Sequence, residues 1–195
     1  MAKILVVSGS ARRDSVNLKL GRVACQIGEE LGAVCELVDP REHELPLYNA
    51  DLEEQDGLPA AALELKKSFE AADGLLFCSP EYNSSITPLL KNLIDWVSRP
   101  ATDDEPSLSA YRGKVAGLVS ASPGALGGMR GLVQLRSILG NIGVHVIPTQ
   151  YALAAAYGKF DDSGALTDEG AMEKLTAVMK ELVETTEKVA AAVDV

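Results

Sequence analysis

The order of hydrophobic segments in this 195-residue chain predicts an α/β fold in which a parallel sheet is covered by helices on both faces. The segments between the apolar runs carry hydrophobic residues every three or four positions, as amphipathic helices do. Strands that alternate with helices in this way favour a parallel sheet buried on both sides. Strands are predicted at residues 3–8, 34–38, 75–78, 115–119 and 144–147.

Helices are predicted around residues 20–31, 61–71 and 87–97, before Asn141, and after Thr167. Thr167 is expected to cap the last helix, since its hydroxyl can accept a hydrogen bond from a first-turn N–H group. One inward stripe of this helix is predicted to contain Leu175, Met179, Leu182, Thr186 and Val189. Two stretches are predicted as connections: residues 40–60, rich in proline and acid, and the polar insertion at residues 100–112.

Composition and charge narrow the class of function. The chain has 47% hydrophobic and 24% charged residues, which is typical of a globular protein, and we expect a single domain over residues 1–195. Eighteen basic and 28 acidic side chains give a net charge of −10. This excess repels nucleic acid and anionic membranes, so neither is expected as a partner. A bound anion would need local positive potential from its own pocket.

The expected location is the cytoplasm. The N-terminal apolar stretch is too short for a signal peptide, and no later segment predicts a membrane span or integral membrane contact. Cys25, Cys35 and Cys78 are odd in number and widely spaced, which favours free thiols in a reducing compartment. His43 and His145 lack metal-ligand spacing, so no metal site is predicted.

The loop after the first strand, residues 8–17, is dense in hydroxyl and amide groups and contains two arginines. A loop of this kind, leading into a helix N-terminus, can bind a phosphate through backbone N–H groups and hydroxyls, with Arg12 adding charge. The alternative is that Ser15 or Asn17 only caps the helix and the arginines are solvated. The glycine pattern of dinucleotide-binding folds and the P-loop lysine are both absent.

Three segments carry a resemblance to a known family. They are Gly9-Ser10-x-Arg12-x-x-Ser15-x-Asn17, Pro80-Glu81-Tyr82-Asn83, and Leu90-Lys91-Asn92-x-Ile94-Asp95-Trp96-x-Ser98-Arg99, with a weaker match at Ser122 and Gly127-Gly128-x-Arg130. Over roughly residues 3 to 150 the chain resembles the NADPH-dependent FMN reductase family, which includes quinone, azo-dye and chromate reductases.

The resemblance implies a flavodoxin-like three-layer sandwich with five parallel strands in the order 2-1-3-4-5. It also implies that FMN is bound non-covalently beyond the carboxyl ends of the first, third and fourth strands. The implied phosphate-side residues are Ser10, Arg12, Ser15, Val16 and Asn17. The implied ring-side residues are Pro80, Glu81, Tyr82, Asn83 and Ser84, with Ser122 contributed by the third loop.

The function implied is an FMN-dependent NAD(P)H oxidoreductase. Hydride would pass from NADPH or NADH to the flavin, which then reduces a small-molecule acceptor such as a quinone, azo compound, chromate or free flavin in a ping-pong cycle. The flavin carries this chemistry, so no protein acid, base or nucleophile is predicted. The alternatives are an FMN-binding electron carrier or redox sensor without turnover, and a scaffold without cofactor. The resemblance also implies a homodimer or homotetramer.

Several features of the sequence allow more than one interpretation. Glu81 could contact the flavin, or it could only cap a helix or pair with an arginine. The glycine-rich stretch 123–131 could be a flexible lid or a flavin-side loop, or it could be a tight turn that requires positive φ, and the two interpretations are compatible. Residues 46–49 could edge the active site of a second subunit or form a plain loop. The pair Thr87-Pro88 and the insertion at 101–110 depart from the family pattern and bear on substrate range.

Overall fold

A computed structural model describes residues 1–193 and shows a sheet of five parallel strands, a two-stranded hairpin and six helices. In chain order the strands are β1 (Lys3–Ser8), β2 (Val34–Val38), β3 (Gly74–Cys78), β4 (Glu81–Tyr82), β5 (Ser85–Ile86), β6 (Val115–Ala121) and β7 (His145–Leu153). The helices are α1 (Val16–Glu30), α2 (Ala50–Asp56), α3 (Ala60–Ala71), α4 (Pro88–Val97), α5 (Met129–Asn141) and α6 (Glu169–Val193).

The main sheet has the order β2-β1-β3-β6-β7, and all of its neighbouring strands are parallel. This is the predicted order 2-1-3-4-5 when the five strands are numbered along the chain, so the predicted flavodoxin-like fold is confirmed. The chain moves outward from β1 to β2 and then returns to the other side of β1 to form β3. The order therefore reverses between β1 and β3, where open α/β sheets bind their ligands.

Alternate side chains of the buried strands pack into two separate hydrophobic cores, one on each face of the sheet. In β1, Ile4 and Val6 belong to one core, while Leu5 and Val7 belong to the other. Helices α1 and α6 cover the first face, and α3, α4 and α5 cover the second. All five residues of β3 are buried, which explains why its sequence is a continuous apolar run.

The last strand is longer than predicted because it tolerates a proline. The predicted strand ends at residue 147, but β7 continues through Pro148 to Leu153. Its pairing with β6 is irregular between Ala116 and Leu118, and β7 lies at the edge of the sheet. A bulge on an edge strand can accommodate proline, which has no N–H group to donate.

The connection at residues 40–60 contains a helix that was not predicted, α2. The Asn49 side chain caps it by accepting a hydrogen bond from the Asp51 N–H group at 2.9 Å. Asp51 and Glu53 lie in its first turn, where negative charge is favourable. The prolines that indicated a loop, such as Pro46 and Pro59, flank this helix without entering it.

The cap predicted for the last helix is off by one residue. Asp168 Oδ1 accepts a hydrogen bond from the Ala171 N–H group at 2.8 Å, while the Thr167 hydroxyl instead donates to the Lys159 carbonyl oxygen. The predicted inward stripe is confirmed: its first four members are buried, and the last packs partly buried against the same core.

The insertion at residues 100–112 lies at the amino ends of the strands: it leads into β6, and the Gly113 N–H group that follows it donates to the Gly143 carbonyl oxygen just before β7. Buried Lys66 of α3 forms an ion pair with Glu105 and donates a hydrogen bond to the Arg99 carbonyl oxygen at 2.8 Å. Tyr111 is fully buried, with its ring 5.3 Å from that of Phe69. The insertion is therefore anchored on the opposite side of the molecule from the carboxyl ends of the strands.

The hairpin β4–β5 was also not predicted, and it turns through two residues in the left-handed region. Asn83 has φ of 51° and Ser84 has φ of 68°, and the flanking Tyr82 and Ser85 are paired. Two-residue hairpins favour this backbone because it matches the twist of the strands. Asparagine adopts positive φ more readily than serine does, so the strain in the turn falls on Ser84.

Replacing Ser84 by glycine is expected to stabilise the protein. Relief of the left-handed strain outweighs the added entropy of the unfolded chain by about 0.5–1 kcal/mol. The melting temperature of Ser84→Gly, measured by calorimetry, should rise by roughly 1–4 °C. Ser84→Ala keeps the strain and serves as the control, with no increase expected. A glycine variant that melts at or below the wild-type temperature would contradict this account of the turn.

Candidate active site

The predicted site residues converge at the carboxyl ends of β1, β3 and β6, where the strand order reverses. A cavity of about 140 Å³ lies there, and an adjoining cavity of about 390 Å³ shares Glu81 and Ser122 with it. The smaller cavity is lined by Ser10, Arg12, Ser15, Val16, Asn17, Pro80, Glu81, Tyr82, Ala121, Ser122, Pro123 and Tyr157. Together the two cavities reach the size typical of ligand pockets, roughly 300–1,000 Å³.

The loops after β1 and β3 touch each other at Gly9. A Cβ atom at this position would lie 2.9 Å from Pro80 Cδ, so a larger residue would force the loops apart. The Gly9 N–H group donates to the Cys78 carbonyl oxygen at 2.9 Å, and the Thr87 hydroxyl donates to the Gly9 carbonyl oxygen at 2.8 Å. Thr87 also caps α4, and Pro88 follows as its first residue. The Thr87-Pro88 pair, which departs from the family pattern, thus connects the first loop to α4.

Helix α1 begins at the cavity, and Ser15 is its cap. The Ser15 hydroxyl accepts a hydrogen bond from the Leu18 N–H group at 3.2 Å, as the capping alternative anticipated. Capping and anion binding are compatible, because the other first-turn N–H groups of a helix have no acceptor within it. Val16 and Asn17, the first two residues of the helix, both line the cavity.

The side chain of Asn17 is already engaged. Its Nδ2 donates to the Ala121 carbonyl oxygen and its Oδ1 accepts from the Ala121 N–H group, both at 2.8 Å. The residue is 3% exposed. Asn17 therefore lies where the resemblance places it, but its amide joins α1 to β6. Any phosphate contact from this residue is expected from its backbone N–H group.

The turn at residues 80–84 forms the other wall. Pro80 and Tyr82 line the smaller cavity, and the Tyr82 ring is exposed. Asn83 lines the adjoining cavity. As far as residues 1–193 define these two cavities, Ser84 lines neither and is exposed in the turn.

Glu81 caps a helix and pairs with an arginine, which was one of the alternatives left open. Its carboxylate accepts hydrogen bonds from the N–H groups of Arg130 and Gly131 at the start of α5, at 3.0 and 3.2 Å. The Arg130 Nε also donates to it, at 2.8 Å. Glu81 thus fixes the β3 loop to the helix that follows β6.

These partners also set the ionisation of Glu81. Burial alone would raise the pKa of its carboxyl, but the hydrogen bonds from Arg130 and Gly131 outweigh burial and lower the pKa. Glu81 is therefore ionised at neutral pH and cannot serve as a general acid there.

The glycine-rich stretch after β6 is a tight turn. Gly127 and Gly128 have φ of 63° and 93°, and Gly128 is the cap of α5. A Cβ atom on Gly127 would lie 2.7 Å from the Ala152 main chain. Ser122 immediately precedes this stretch, and its hydroxyl accepts a hydrogen bond from the Gly124 N–H group at 3.1 Å. The positive-φ interpretation is confirmed.

The motif at residues 90–99 anchors α2 and the segment before it. Asn92 and Trp96 both donate to the Pro46 carbonyl oxygen, at 2.9 and 2.8 Å. The Arg99 Nε donates to the Glu53 carboxylate at 2.8 Å. This motif therefore positions residues 46–53 and does not line the smaller cavity.

Three residues that line the smaller cavity were not predicted: Ala121, Pro123 and Tyr157. Ala121 and Pro123 flank Ser122 and could have been inferred from it. Tyr157 comes from the loop after β7, and its only sequence signal is an aromatic residue beyond the last strand. Its hydroxyl accepts a hydrogen bond from Arg12 Nη1 at 2.8 Å.

The arrangement suits a molecule with an anionic end and a flat aromatic end. Serine hydroxyls, Arg12 and the α1 N-terminus supply hydrogen-bond donors and positive potential for an anion such as a phosphate. Pro80 and the Tyr82 ring supply an apolar wall beside them. FMN has both ends, so the residues present fit it.

Within residues 1–193, no three His, Cys, Asp or Glu side chains are placed to hold a metal ion, and no helix could span a membrane.

Removing the Glu81 charge is expected to destabilise the fold at neutral pH. Glu81→Gln should lower the free energy of unfolding by about 1–2 kcal/mol, because it weakens a helix cap and an arginine pair. The folded-state pKa lies below the ordinary value of 4.5. The difference in the free energy of unfolding between wild type and Glu81→Gln should therefore be complete above pH 4.5 and decrease as pH falls through the folded-state pKa.

Urea denaturation of both proteins from pH 7 to pH 3 measures this difference. Glu187→Gln, which changes an exposed carboxylate on α6, is the control and should show little effect at any pH. A Glu81→Gln difference that stays constant over the whole range would contradict the assigned ionisation.

Comparisons with known proteins agree with this geometry. The sequence profile of the family described as NADPH-dependent FMN reductase matches residues 2–158. A probable NADPH:quinone oxidoreductase 2 from Oryza sativa subsp. japonica is 38% identical over 185 residues, which cover 92% of this chain and 86% of the relative. An NAD(P)H-dependent FMN reductase from Pseudomonas aeruginosa is 35% identical over 186 residues, covering 92% of each chain.

A solved structure shows the same fold over nearly the whole length. FerB, a flavoenzyme NAD(P)H:(acceptor) oxidoreductase from Paracoccus denitrificans, superposes with a TM-score of 0.80 and 29% identity, covering 96% of this chain and 98% of FerB. The resemblance found in the sequence motifs is therefore confirmed. The chain belongs to the NADPH-dependent FMN reductase family, and it is an oxidoreductase with FMN as cofactor and NAD(P)H as co-substrate.

Proposed function

We propose that this protein transfers two electrons from NAD(P)H to a quinone-like acceptor in a ping-pong cycle, with FMN held in the cavity between the β1, β3 and β6 loops. One observation carries the proposal: the β1 loop, with its hydroxyl groups and Arg12, and an exposed aromatic turn line the same cavity at the point where the strand order reverses. Two of the relatives that extend over most of this chain are named quinone oxidoreductases, which supports a quinone as acceptor.

On the phosphate side, Ser10, Arg12 and the first turn of α1 would hold the FMN phosphate. The charge of the protein supports this role, since a chain with a net charge of −10 repels an anion unless its pocket is locally positive. The Arg12 guanidinium and the α1 N-terminus supply that potential. Ser10 also accepts a hydrogen bond from the Arg12 N–H group at 3.3 Å, which shapes the loop.

On the ring side, the turn at residues 80–84 would hold the flavin edge, and the pairing of Glu81 with α5 keeps this turn in place. Bound FMN supplies the two-electron chemistry, so the protein needs to bind and orient and does not need an acid or base. Asn83 and Ser122 extend from the turn and the β6 loop toward the adjoining cavity.

An outer wall that is open to solvent supports the proposed ping-pong order. Tyr82 and Tyr157 are 60% and 57% exposed, so the outer side of the cavity is open to solvent. NAD(P)H and the acceptor would occupy this side in turn. An open side of this kind also accommodates azo compounds, chromate or free flavin, which belong in the panel of acceptors tested.

The three free cysteines support a reducing compartment, and we propose the cytoplasm.

A second copy of this chain is the proposed partner, as a homodimer or homotetramer. A cavity of about 580 Å³ lies beside the candidate site, between the segment after β2 and the start of α4. Its wall includes Leu45, Leu47, Leu89 and Leu93, and Leu47 is 78% exposed. Asn92 and Trp96 hold the backbone beside Leu47 in place, which presents this leucine to solvent on a fixed support.

The activity is tested by a spectrum and by turnover. The purified protein should bind FMN with flavin absorbance and should oxidise NAD(P)H when a quinone is added. Initial rates over both substrate concentrations should give parallel double-reciprocal lines, as expected for ping-pong kinetics. Protein that gains no flavin absorbance with FMN would overturn the proposal. Flavin binding without NAD(P)H oxidation would indicate an electron carrier or sensor, and intersecting lines would overturn the ping-pong order.

The oligomer is tested at Leu47. Wild-type protein is expected to elute as a dimer or tetramer in size-exclusion chromatography with light scattering. Leu47→Ser should raise the dissociation constant between subunits about tenfold or more, since a buried leucine contributes roughly 1.5–3 kcal/mol. Leu31→Ser changes an exposed leucine at the end of α1 and is the control. A monomeric wild type, or an unchanged Leu47→Ser oligomer, would contradict this interface.

A further inference from the structure

Tyr157 reaches the phosphate side of the cavity from the loop after β7, the edge strand of the sheet. The ligand loops of this fold are expected after β1, β3 and β6, and the motifs that define the family resemblance do not include this position. Its position raises the question of what a tyrosine contributes beside the loop proposed to hold the phosphate.

The contact that Tyr157 makes is with Arg12. Arg12 Nη1 donates a hydrogen bond to the Tyr157 hydroxyl oxygen at 2.8 Å, and the guanidinium carbon lies 5.9 Å from the centre of the Tyr157 ring. The hydrogen bond is directional, and it restrains the Arg12 guanidinium beside the Tyr157 hydroxyl group. Arg12 has a long side chain on an exposed loop, and without such contacts it would sample many rotamers.

The loop that carries Tyr157 is itself firmly attached. The Ala155 and Ala156 N–H groups donate to the Gly124 and Ser122 carbonyl oxygens, at 3.2 and 3.0 Å. Ala156 is fully buried, and Ala155 has φ of 47°, an unusual value for alanine. The main chain next to Tyr157 is thus bonded to the β6 loop that forms part of the same cavity.

We propose that Tyr157 is a positioning residue that holds Arg12 toward the phosphate and makes the protein prefer FMN over riboflavin. The inference rests on the proposed function, because it takes FMN to be the ligand of this cavity. A guanidinium restrained before binding loses less side-chain entropy when the phosphate arrives. The Tyr157 oxygen accepts from Arg12, so its own proton is available to a phosphate oxygen.

The test compares FMN with riboflavin, which has the same ring and no phosphate. Flavin-free wild type and Tyr157→Phe are titrated with each flavin, and binding is followed by fluorescence. Tyr157→Phe keeps the ring and removes the hydroxyl. The dissociation constant for FMN should rise about two- to tenfold, while that for riboflavin should stay unchanged. Tyr151→Phe, on β7 and outside the cavity wall, is the matched control and should bind both flavins as wild type does.

A second comparison tests the route through Arg12. In an Arg12→Ala background, Tyr157→Phe should change the FMN dissociation constant by a smaller factor than in wild type. If Tyr157→Phe changes the FMN dissociation constant by the same factor in both backgrounds, the positioning role is overturned. Equal losses for FMN and riboflavin would also overturn it, since a residue that only supports the wall affects both.

The outcomes separate this inference from the proposed function. A wild-type protein that binds FMN, together with a Tyr157→Phe variant that binds it as tightly, overturns the inference alone. A wild-type protein that binds neither flavin overturns the proposed function, and this inference with it.

Discussion

Both ends of the Asn17 side-chain amide bond to the main chain of Ala121, 104 residues later in the sequence. This buried pair joins the first turn of α1 to the end of β6. Each bond contributes about 1 kcal/mol, and leaving one of the Ala121 groups unpaired would cost roughly 1–3 kcal/mol. The α1 N-terminus and the β6 loop therefore meet at a defined distance, and the cavity between them depends on that contact.

The other walls are attached to this frame by bonds of the same kind. Thr87 links the first loop to α4, Glu81 links the β3 loop to α5, and the segment before Tyr157 is bonded to the β6 loop. Each of these hydrogen bonds involves a main-chain group or the end of a helix, so it also provides a partner for a polar group that needs one. The protein thus positions several flexible loops by anchoring one or two atoms of each, and leaves Arg12 and Tyr82 exposed at the cavity.

Charge explains why the donors are concentrated at one place. Most of the surface of this acidic protein disfavours an anion, so a phosphate is drawn only to a point with local positive potential. The α1 N-terminus and Arg12 are together at such a point, next to an apolar wall. Glu81, the carboxylate in this cavity, is neutralised by Arg130 and two N–H groups, which limits its repulsion of the ligand.

Local sequence patterns predicted the five strands, most clearly β1, β3 and β6, whose apolar runs are buried on both faces. The family resemblance supplied the strand order, and its motifs located most of the wall of the smaller cavity, since motif residues follow the ends of the strands. Contacts between distant residues could not be predicted in the same way. Arg130, the partner of Glu81, lies 49 residues further along the chain. Pro148 indicated the end of a strand, although β7 continues beyond it toward Tyr157. The prolines around α2 indicated a loop where the structure has a helix.

The central claim is that the FMN phosphate is held between the β1 loop and the α1 N-terminus. A crystal structure of the FMN complex tests it directly. We expect phosphate oxygens within hydrogen-bonding distance of the Ser10 hydroxyl, the Arg12 guanidinium and the Val16 N–H group, with the ring beside Tyr82. A phosphate bound at any other loop, or a flavin seated in the larger leucine-lined cavity beside α4, would contradict it.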